Sequence, residues 1–427
     1  MDEATRTVLN HVSRAYGTPC YVHFLDPMRR QLDRLEQAFG GRFAISYAVK
    51  CNPNVALLGR LRDMVPTLDV SSIGEVERGL RAGYSGSRMT FSGPAKRPFE
   101  LARAVEVGCG EIVCESEREI DSVNRLAREA GRRVSILIRI NPRRMPRSFG
   151  MSMAGKPSQF GIDEEDVTTV LDKRRNWTAL DLKGFHIYSG TNSMSEEAIA
   201  ENFGIFIDLF TRLSLQYGLR PDKLVFGSGF GIPYVLDQPP LDVGKVADLV
   251  NPKIDGMRRH PDLAGTQCIL EMGRFLTGPN GYFLTSIISE KLSRGTEIRM
   301  CDGGFNNHIN AYGMMGTLIR RNWPMWKVNA TRNEPVREYL LVGPLCTTLD
   351  TLAIGILLPE LHCDDVIAIG ASGAYGLTAS PTHFISHPVP REYLVAGPAN
   401  AEILDVTELS AEYPVGSQHL PRADARP

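Results

Sequence analysis

Short apolar runs alternate with longer amphipathic runs along most of this chain, beginning near residue 43. An apolar run of four to eight residues is typical of a buried strand, whereas apolar positions spaced three or four residues apart are typical of a helix. Such an alternation predicts an α/β fold in which helices join parallel strands. The predicted strands lie at residues 43–50, 68–72, 89–93, 111–116, 134–142, 184–190, 223–231 and 267–274.

The number of predicted strands indicates the architecture. Eight strands within about 230 residues fit a (β/α)8 TIM barrel, and a doubly wound open sheet is the alternative that the pattern leaves open. After about residue 275 the pattern becomes β-rich. We therefore expect a barrel over residues 27–275 and a C-terminal β domain over residues 276–415. We also expect residues 1–26 to join the β domain and residues 416–427 to form a disordered tail.

The composition argues against several kinds of partner and site. The chain is 43% hydrophobic and 23% charged with a net charge of −1, which favours neither a nucleic acid nor a membrane as partner. Its apolar runs fall short of the roughly 20 residues of a membrane span, and the charged N-terminus predicts an amphipathic helix rather than a signal peptide. The eight cysteines show neither Cys-x-x-Cys nor zinc spacing. We therefore expect reduced thiols in the cytoplasm and no metal site.

Polar residues and glycines mark the C-terminal ends of nearly all predicted strands. A (β/α)8 barrel builds its active site at these ends, so the pattern predicts a lined cavity there. A Gly-, Pro- and Ser-rich segment at 143–161 is expected to form a long loop beside it. The strand-end residues are Lys50, Asp69, Ser71, Ser92, Arg139, Asn141, His186, Ser189, the run GSGFG at 227–231 and the run EMGR at 271–274.

Each of these residues also has a purely structural interpretation. Lys50 could be solvated where its strand ends, His186 could be a satisfied core histidine, and Glu271 could simply pair with Arg274. The glycines of 227–231 could form a tight turn. Taken together, however, they match the needs of pyridoxal phosphate: a lysine for the aldehyde, backbone N–H groups for the phosphate and an acid for the ring nitrogen.

These motifs resemble those of the fold-type III pyridoxal-phosphate decarboxylases. That family includes ornithine and diaminopimelate decarboxylases, and it shares its barrel with alanine racemase. The resemblance runs from about residue 18 to about residue 395, and it is specific because nine motifs occur in the family's order. The motifs are YAVKCNPN, DVSSIGE, RINP, GFHIYSG, GSGFG, EMGR, CDGG, GPLCTTLD and GAYG.

The resemblance implies a role for each site residue. Lys50 would carry the cofactor, His186 would stack on its ring, and Glu271 would pair with the ring nitrogen. Asp69 and Glu75 would support the lysine end of the site. The remaining expected cofactor contacts, most of them to the phosphate, are Arg139, Ser189, Gly229, Gly273, Arg274 and Tyr375.

The resemblance also implies a homodimer with shared active sites, in which the partner subunit supplies Cys346 and Tyr375. Cys346 would act near the α-carbon of the substrate. Ornithine and diaminopimelate decarboxylases carry an acidic residue directly after this cysteine, where it meets the distal amine of the substrate. This chain has Thr347 instead, and a neutral hydroxyl cannot neutralise a second ammonium.

The motif GPLCTTLD, together with CDGGFNN and SPTHFISHP, looks more like the butirosin-type decarboxylases. That branch acts on acidic amino acids tethered to an acyl carrier protein in antibiotic pathways, and a related branch accompanies exopolysaccharide or protein-sorting genes. We therefore expect decarboxylation of a carrier-bound aspartyl- or glutamyl-type group in a secondary-metabolite pathway. A free diaminopimelate, ornithine or lysine substrate is the alternative. A racemase, an inactive regulatory homologue and a sugar-phosphate enzyme are the rival functions.

One further segment suggests a surface for the carrier protein. IRRNWPMWK places Arg320, Arg321 and Lys327 beside Trp323 and Trp326. Cations interleaved with aromatic rings suit an acidic helix, since charge guides the encounter and tryptophan anchors it. A packed loop is the alternative interpretation.

Overall fold

The computed structural model describes residues 1–146, 149, 151–152, 155–313, 321–331, 333–397 and 402–408, with 151–152 described as backbone. The expected disordered tail at 416–427 lies outside these residues. Within the described ranges, no helix is both long and apolar enough to cross a membrane.

The N-terminal elements belong to a sheet that is completed at the far end of the chain. Helix α1 (Glu3–Tyr16) is followed by strand β1 (Cys20–Phe24). This strand pairs with two strands of the C-terminal part, Gly281–Ser293 and Arg391–Ala396, one on each side. Apolar residues of α1, such as Leu9, pack against the same sheet.

The middle of the chain forms a closed parallel barrel. Its strands are β2 (Ala44–Ala48), β3 (Thr67–Val70), β4 (Met89–Phe91), β5 (Glu111–Cys114), β6 (Val134–Asn141), β9 (Leu180–Ile187), β11 (Lys223–Gly227) and β12 (Gln267–Met272). Two-residue strands lie between them, at β7 (Met151–Ser152), β8 (Ile162–Asp163) and β10 (Gly190–Thr191). Because β12 pairs with β2 and β5 pairs with β6, the ring is complete. The predicted (β/α)8 barrel is thus confirmed, and closure excludes the open sheet.

Helices surround the barrel, and some of them begin within three residues of a strand end. Three helices, α4 (Ile73–Arg81), α6 (Glu117–Glu129) and α8 (Glu196–Gln216), are capped by Ser72, Ser116 and Ser195, whose hydroxyls accept a backbone N–H of the first helical turn. The caps at Ser72 and Ser116 lie two residues after β3 and β5, so the chain enters a helix directly beyond these strand ends. The other helices are α2 (Leu25–Phe39), α3 (Val55–Leu61), α5 (Pro98–Val107), α7 (Val167–Asp172), α9 (Val243–Arg258) and α10 (Arg274–Thr277).

The C-terminal part is strand-rich, as the pattern after residue 275 predicts. Its strands are β13 (Gly281–Ser293), β14 (Thr296–Cys301), β15 (Met325–Lys327), β16 (Val336–Val342), β17 (Thr351–Pro359), β18 (Val366–Ile369), β19 (Arg391–Ala396) and β20 (Glu402–Asp405). They run in the order β17-β16-β14-β13-β1-β19-β20, and β18 pairs with both β13 and β15. Loops of this sheet return to the mouth of the barrel.

His308 is a fully buried titratable group in this C-terminal part. Its ring contacts the rings of Tyr21, Phe283 and Trp323, and its Nε2 lies 2.9 Å from the Ser372 hydroxyl. Burial lowers the pKa of His308 from 6.5 to about 3, because a charged ring is unfavourable among apolar groups. Between pH 6.5 and pH 3 the unfolded chain therefore binds more protons here than the folded protein. The free energy of unfolding consequently falls as the pH falls through that window.

Replacing His308 with glutamine should flatten this pH dependence. The wild-type protein should lose up to about 1.4 kcal/mol of stability per pH unit from this group, and the His308→Gln variant should lose correspondingly less. Urea unfolding at pH 7.5, 6.0 and 5.0 measures both slopes, and His11→Gln, on exposed α1 surface, is the control. An unchanged slope in the His308 variant would contradict the assignment.

Candidate active site

Lys50 lies in a short 3-10 turn that directly follows β2. Tyr47, three residues before Lys50 on β2, is fully buried, and its hydroxyl donates to the carbonyl oxygen of Asn52 at 3.0 Å. This bond ties the turn to the strand. The Lys50 side chain is 39% exposed, with its Nζ 3.9 Å from Asp69 Oδ2 and 5.2 Å from the centre of the Tyr188 ring. The lysine therefore reaches into open space beside a carboxylate and an aromatic ring.

A small cavity surrounds this lysine at the C-terminal end of the barrel. A larger groove runs between α2 and the start of α9, but its described lining has one carboxylate, Asp242, and neither lysine nor histidine. The lysine–carboxylate chemistry thus belongs to the smaller cavity. The predicted site residues that line it are Lys50, Gly229, Glu271, Gly273, Arg274 and Tyr375.

Asp69 is a buried carboxylate at the lysine end. Burial and the nearby carboxylate of Glu271 together raise the pKa of Asp69 to about 6, although Lys50 and a hydrogen bond from Ser92 (Oγ to Oδ1, 2.8 Å) act in the opposite direction. Burial lowers the pKa of Lys50, but the carboxylates of Asp69 and Glu271 outweigh it and the net direction is upward. The protein thus holds Lys50 as an ammonium ion beside a group that can take up a proton near pH 6.

Glu75 lies just beyond this pair, in the first turn of α4. Its carboxylate accepts a hydrogen bond from the backbone N–H of Ser71 at 2.7 Å, while its own N–H donates to the Ser72 hydroxyl at 3.2 Å. Burial raises the pKa of Glu75 to about 7. The residue fixes the end of β3 behind Asp69, so it supports the lysine end through the backbone.

His186 and Glu271 meet across the barrel, His186 on β9 and Glu271 on β12. Both are buried, and His186 Nε2 lies 2.9 Å from Glu271 Oε1. Burial raises the pKa of Glu271, yet the charges of His186, Lys50 and Arg139 outweigh it and the pKa falls below its usual range. Glu271 is therefore an ionised carboxylate in a nearly dry site.

Arg139 lies near the C-terminal end of β6 and bonds Glu115, which directly follows the neighbouring strand β5. Its Nη1 donates to both carboxylate oxygens of Glu115, at 3.0 and 3.1 Å. Backbone N–H groups of Gly93 and Gly161 donate to the same carboxylate at 2.8 and 3.0 Å. Arg139 thus holds two loops at the barrel mouth, and its charge adds to the field that keeps Glu271 ionised.

The opposite end of the cavity is suited to an anion. Gly229 has φ +65° and lines the cavity, and a Cβ there would collide with the Phe149 ring, so glycine is required at this turn. The guanidinium of Arg274 lies 4.7 Å from the centre of the Tyr375 ring, and Nη1 donates to the Tyr234 hydroxyl at 2.5 Å. Burial lowers the pKa of Arg274, but the two phenols reverse this and the net direction is upward.

Gly273 links the lysine end to this anion end. A Cβ at Gly273 would collide with the thiol of Cys51, the residue after Lys50. The glycine thus lets β12 pass close to the lysine turn.

Tyr375 lines the cavity of its own chain, contrary to the expectation that a partner subunit supplies it. Its backbone N–H donates to the carbonyl oxygen of Cys51 at 2.8 Å. The loop can return over the barrel because Gly373 packs directly against the backbone of Thr277, where a side chain would not fit. Sequence separation from Lys50 is therefore no guide to which subunit supplies this ring.

Ser189, Cys346 and Thr347, like Asp69, Arg139 and His186, are not among the described residues that line the cavity. Ser189 is buried, and its hydroxyl donates to Asn202 Oδ1 on α8 at 2.8 Å. Cys346 is exposed and Thr347 half-buried, on the turn after β16. Asp350 fixes that turn by accepting the backbone N–H of Leu345 at 2.8 Å. The roles expected of Ser189, Cys346 and Thr347 stay predictions.

The prediction that Lys327 and Trp323 belong to a docking surface for the carrier protein is wrong. Lys327 is buried, with its Nζ 3.0 Å from both Glu334 Oε2 and Asp365 Oδ2. Trp323 is also buried. A paired, buried cation does not attract a partner, and a packed tryptophan does not anchor one. Arg320 lies outside the described residues.

Two tyrosines in or beside the cavity were not singled out by the sequence reasoning. Tyr188 lines the cavity beside Lys50. Since side chains alternate along a strand, the two-residue spacing from His186 was a usable signal. Tyr234, the hydrogen-bond partner of Arg274, lies in an irregular loop after β11, where no such period exists.

The residues present fit pyridoxal phosphate. Lys50 is accessible for the aldehyde, and the glycine backbone and Arg274 suit the phosphate. Two buried atoms, His186 Nδ1 and Arg274 Nε, have no hydrogen-bond partner among the residues described, so both are available to a ligand. No group of three or more histidine, cysteine or acidic side chains in the described ranges could hold a metal ion.

Comparison with known proteins agrees with this geometry. The family model "Pyridoxal-dependent decarboxylase, pyridoxal binding domain" matches residues 25–278. The L-glutamyl-[BtrI acyl-carrier protein] decarboxylase of Niallia circulans is 32% identical over 92% of this chain and 92% of its own. Diaminopimelate decarboxylase of Zymomonas mobilis is 29% identical, over 92% of this chain and 91% of its own.

Solved structures show the same fold. The crystal structure of AQ1208 from Aquifex aeolicus has a TM-score of 0.81 at 25% identity, over 93% of this chain and 91% of that one. Diaminopimelate decarboxylase from M. jannaschii with L-lysine has a TM-score of 0.85 over the same shares, and its 23% identity shows the fold alone. With a family model matching more than half of its length, this chain belongs to the pyridoxal-dependent decarboxylases and is a pyridoxal-phosphate-dependent carboxy-lyase.

Proposed function

We propose that this protein removes the α-carboxylate of an acidic L-amino acid, of the aspartyl or glutamyl type, that is tethered to an acyl carrier protein in a secondary-metabolite pathway. The observation that carries the proposal is Thr347, directly after Cys346, where an acidic residue would serve a diamine substrate. The 32% identical relative, whose name specifies a carrier-bound glutamyl group, supports the same substrate class.

The chemistry of the reaction limits where the carrier can be attached. Loss of the α-carboxylate requires a free α-amino group, which the cofactor binds, and a free α-carboxylate, which leaves as CO₂. The tether must therefore occupy the side-chain carboxyl group, and the distal end of the substrate carries no charge. A threonine hydroxyl suits such an end, whereas a distal ammonium would be left without a counter-charge.

The residues of this chain have distinct tasks in the proposed reaction. Bound pyridoxal phosphate supplies a sink for the electron pair that remains when CO₂ leaves. Glu271, held ionised, keeps a proton on the ring nitrogen. Lys50 holds the aldehyde end, and Arg274 with the backbone at Gly229 binds the phosphate. Cys346 is the proposed source of the proton that replaces CO₂ at the α-carbon.

A homodimer with shared active sites is part of the proposal. Cys346 is exposed, outside the described lining of its own chain's cavity. Strand β17 and the turn before it carry large apolar side chains that face water: Leu349, Ile354 and Leu357 are 61–67% exposed. Apolar surface of this kind marks an interface. A second copy covering it would be in position to receive Cys346 in its own cavity.

A free amino acid is the second candidate substrate, because a diaminopimelate decarboxylase relative is 29% identical along nearly the whole chain. We place the enzyme in the cytoplasm, which suits the eight free cysteines.

The substrate assignment predicts faster turnover of a tethered substrate. A carrier-bound γ-glutamyl or β-aspartyl group should be decarboxylated at least ~10²-fold faster than free glutamate, aspartate, lysine, ornithine or diaminopimelate, since each tenfold needs only about 1.4 kcal/mol of added binding. Mass spectrometry measures the loss of CO₂ from each substrate. Lys50→Ala should abolish all of it, and borohydride should fix the cofactor on Lys50 in the wild-type enzyme.

Two results would count against this assignment. Equal or faster turnover of a free amino acid would contradict the carrier-bound substrate and favour the free amino acid as substrate. Borohydride fixation on another lysine would remove Lys50 from the site.

Glu271→Gln should slow decarboxylation by roughly 10² or more. The amide keeps the size of the side chain but removes the charge that holds the ring proton. Cofactor occupancy, read from the visible absorbance, should stay near that of the wild type. Glu111→Gln is the matched control. Glu111 begins β5 and pairs with Lys223, which begins β11, at the end of the barrel away from the cavity. A near-normal kcat at full occupancy would exclude the role.

The shared-site proposal predicts complementation between two inactive variants. Lys50→Ala and Cys346→Ala homodimers should each be nearly inactive. After subunit exchange, a heterodimer should hold one site with both residues intact and one site with neither, so activity should reappear. Exchange is followed with differently tagged subunits. Absent recovery, despite demonstrated exchange, would mean that each site is built from one chain.

A further inference from the structure

The five residues after Lys50, 51–55, form a short connection to α3 that we call the lysine loop. Segments from the end of the described chain hold this loop. We infer that Glu408, supported by Glu392, is a positioning residue that sets the place of Lys50 through the lysine loop. The inference rests on the proposed role of Lys50 as the residue that carries the cofactor.

Asn54 connects the loop to β19 and to the segment that follows β20. Its Oδ1 accepts the backbone N–H groups of Ala56 and Leu57 at 3.1 and 3.3 Å and so caps α3. Its Nδ2 donates to the carbonyl oxygen of Val406 at 2.8 Å and to Glu392 Oε2 at 3.2 Å. One side chain thus joins the start of α3 to the segments at 392 and 406.

Glu408 closes a ring of bonds around the same loop. Its Oε1 accepts the backbone N–H of Val55 at 2.7 Å, and its Oε2 pairs with the Arg78 guanidinium. Arg78 Nη1 donates in turn to the carbonyl oxygen of Pro53 at 2.9 Å. The Glu408 and Arg78 side chains are only 6% and 5% exposed. Buried, charge-assisted bonds of this kind hold geometry more firmly than exposed ones.

The first half of the loop is held by the C-terminal part as well. The carbonyl oxygen of Cys51 accepts the N–H of Tyr375, and Asn52 Nδ2 lies 3.4 Å from the carbonyl oxygen of Gly373. Glu392 also lies 3.4 Å from His23 Nε2 on β1. The lysine loop is therefore bonded to C-terminal segments at Cys51, Asn52, Asn54 and Val55, and Lys50 stands directly before it.

This arrangement bears on catalysis because Lys50 must keep a narrow position. Its Nζ has to stay near Asp69 and also meet the cofactor's aldehyde, and displacements near 1 Å cost rates heavily at such sites. A loop with fewer bonds would let the turn at Lys50 shift without unfolding the barrel. Glu408 therefore acts on the reaction through Lys50, not by touching the substrate.

The chain offers a matched control on the neighbouring strand. Glu402 begins β20 and pairs with Arg60 of α3 at 3.3 Å, but the two side chains are 45% and 47% exposed. Exposed pairs of this kind add little stability. Glu402→Gln removes the same charge from the same region without touching the lysine loop.

The test compares Glu408→Gln, Glu408→Asp and Glu402→Gln with the wild-type holoenzyme. For both Glu408 variants we expect kcat per folded molecule to fall roughly 10- to 100-fold with KM nearly unchanged. We also expect slower borohydride fixation on Lys50 and a shifted pH midpoint of the cofactor's visible absorption. Glu402→Gln should match the wild type in all three readouts. Glu408→Asp keeps the charge, so it serves if the glutamine variant does not fold.

Several outcomes would overturn the inference. Glu408 variants that lose stability but keep wild-type kcat, fixation rate and pH midpoint per folded molecule would show a merely structural role. A Glu402→Gln variant that changes these readouts as much as Glu408→Gln would equally remove the special role of Glu408. Failure of the wild type to fix cofactor on Lys50 is a different result, because it rejects the proposed function before any variant is compared.

Discussion

Glu271 keeps its negative charge in a nearly dry cavity because His186 on β9, Arg139 on β6 and Lys50 in the turn after β2 face it. That balance needs β2, β6, β9 and β12 to end at one level around a closed ring, and the pairing of β12 with β2 completes the ring. The charge on Glu271 thus depends on barrel closure, since an open sheet would leave this carboxylate without some of its counter-charges.

The sequence predicts the barrel well because strand burial follows local periodicity. The residues at the strand ends follow from the same pattern, and the cavity brings Lys50, Gly229, Glu271 and Arg274 together. Contacts made by a loop that returns from a distant part of the chain cannot be predicted from local periodicity. The position of Tyr375 depends on close packing at Gly373, and no local pattern encodes that contact. The prediction for Lys327 was wrong for a similar reason, because both of its carboxylate partners come from other segments.

Relatives with different substrates share this barrel, so the fold does not select the substrate. Structures at 23% identity superpose with TM-scores above 0.8, although their sequences have diverged widely. Most of the residues proposed to hold the cofactor, such as Lys50, Glu271 and Arg274, stand on barrel strands or at their ends, where displacement would disturb the whole ring. Cys346 and Thr347 stand on an exposed turn held by Asp350. Such a turn can change its residues at little structural cost, and this is where substrate choice can diverge.

The place of β1 in the second sheet has a consequence for biosynthesis. This strand leaves the ribosome before the barrel strands, yet its two neighbours are about 260 and 370 residues later in the chain. The barrel strands, from 44 to 272, all emerge before these neighbours. Translation therefore delivers a complete barrel sequence while β1 still has open edges. The C-terminal sheet can close only after β19 has emerged, when a long loop has been drawn together. Until then β1 exposes unpaired backbone groups, which are a risk for association with other nascent chains.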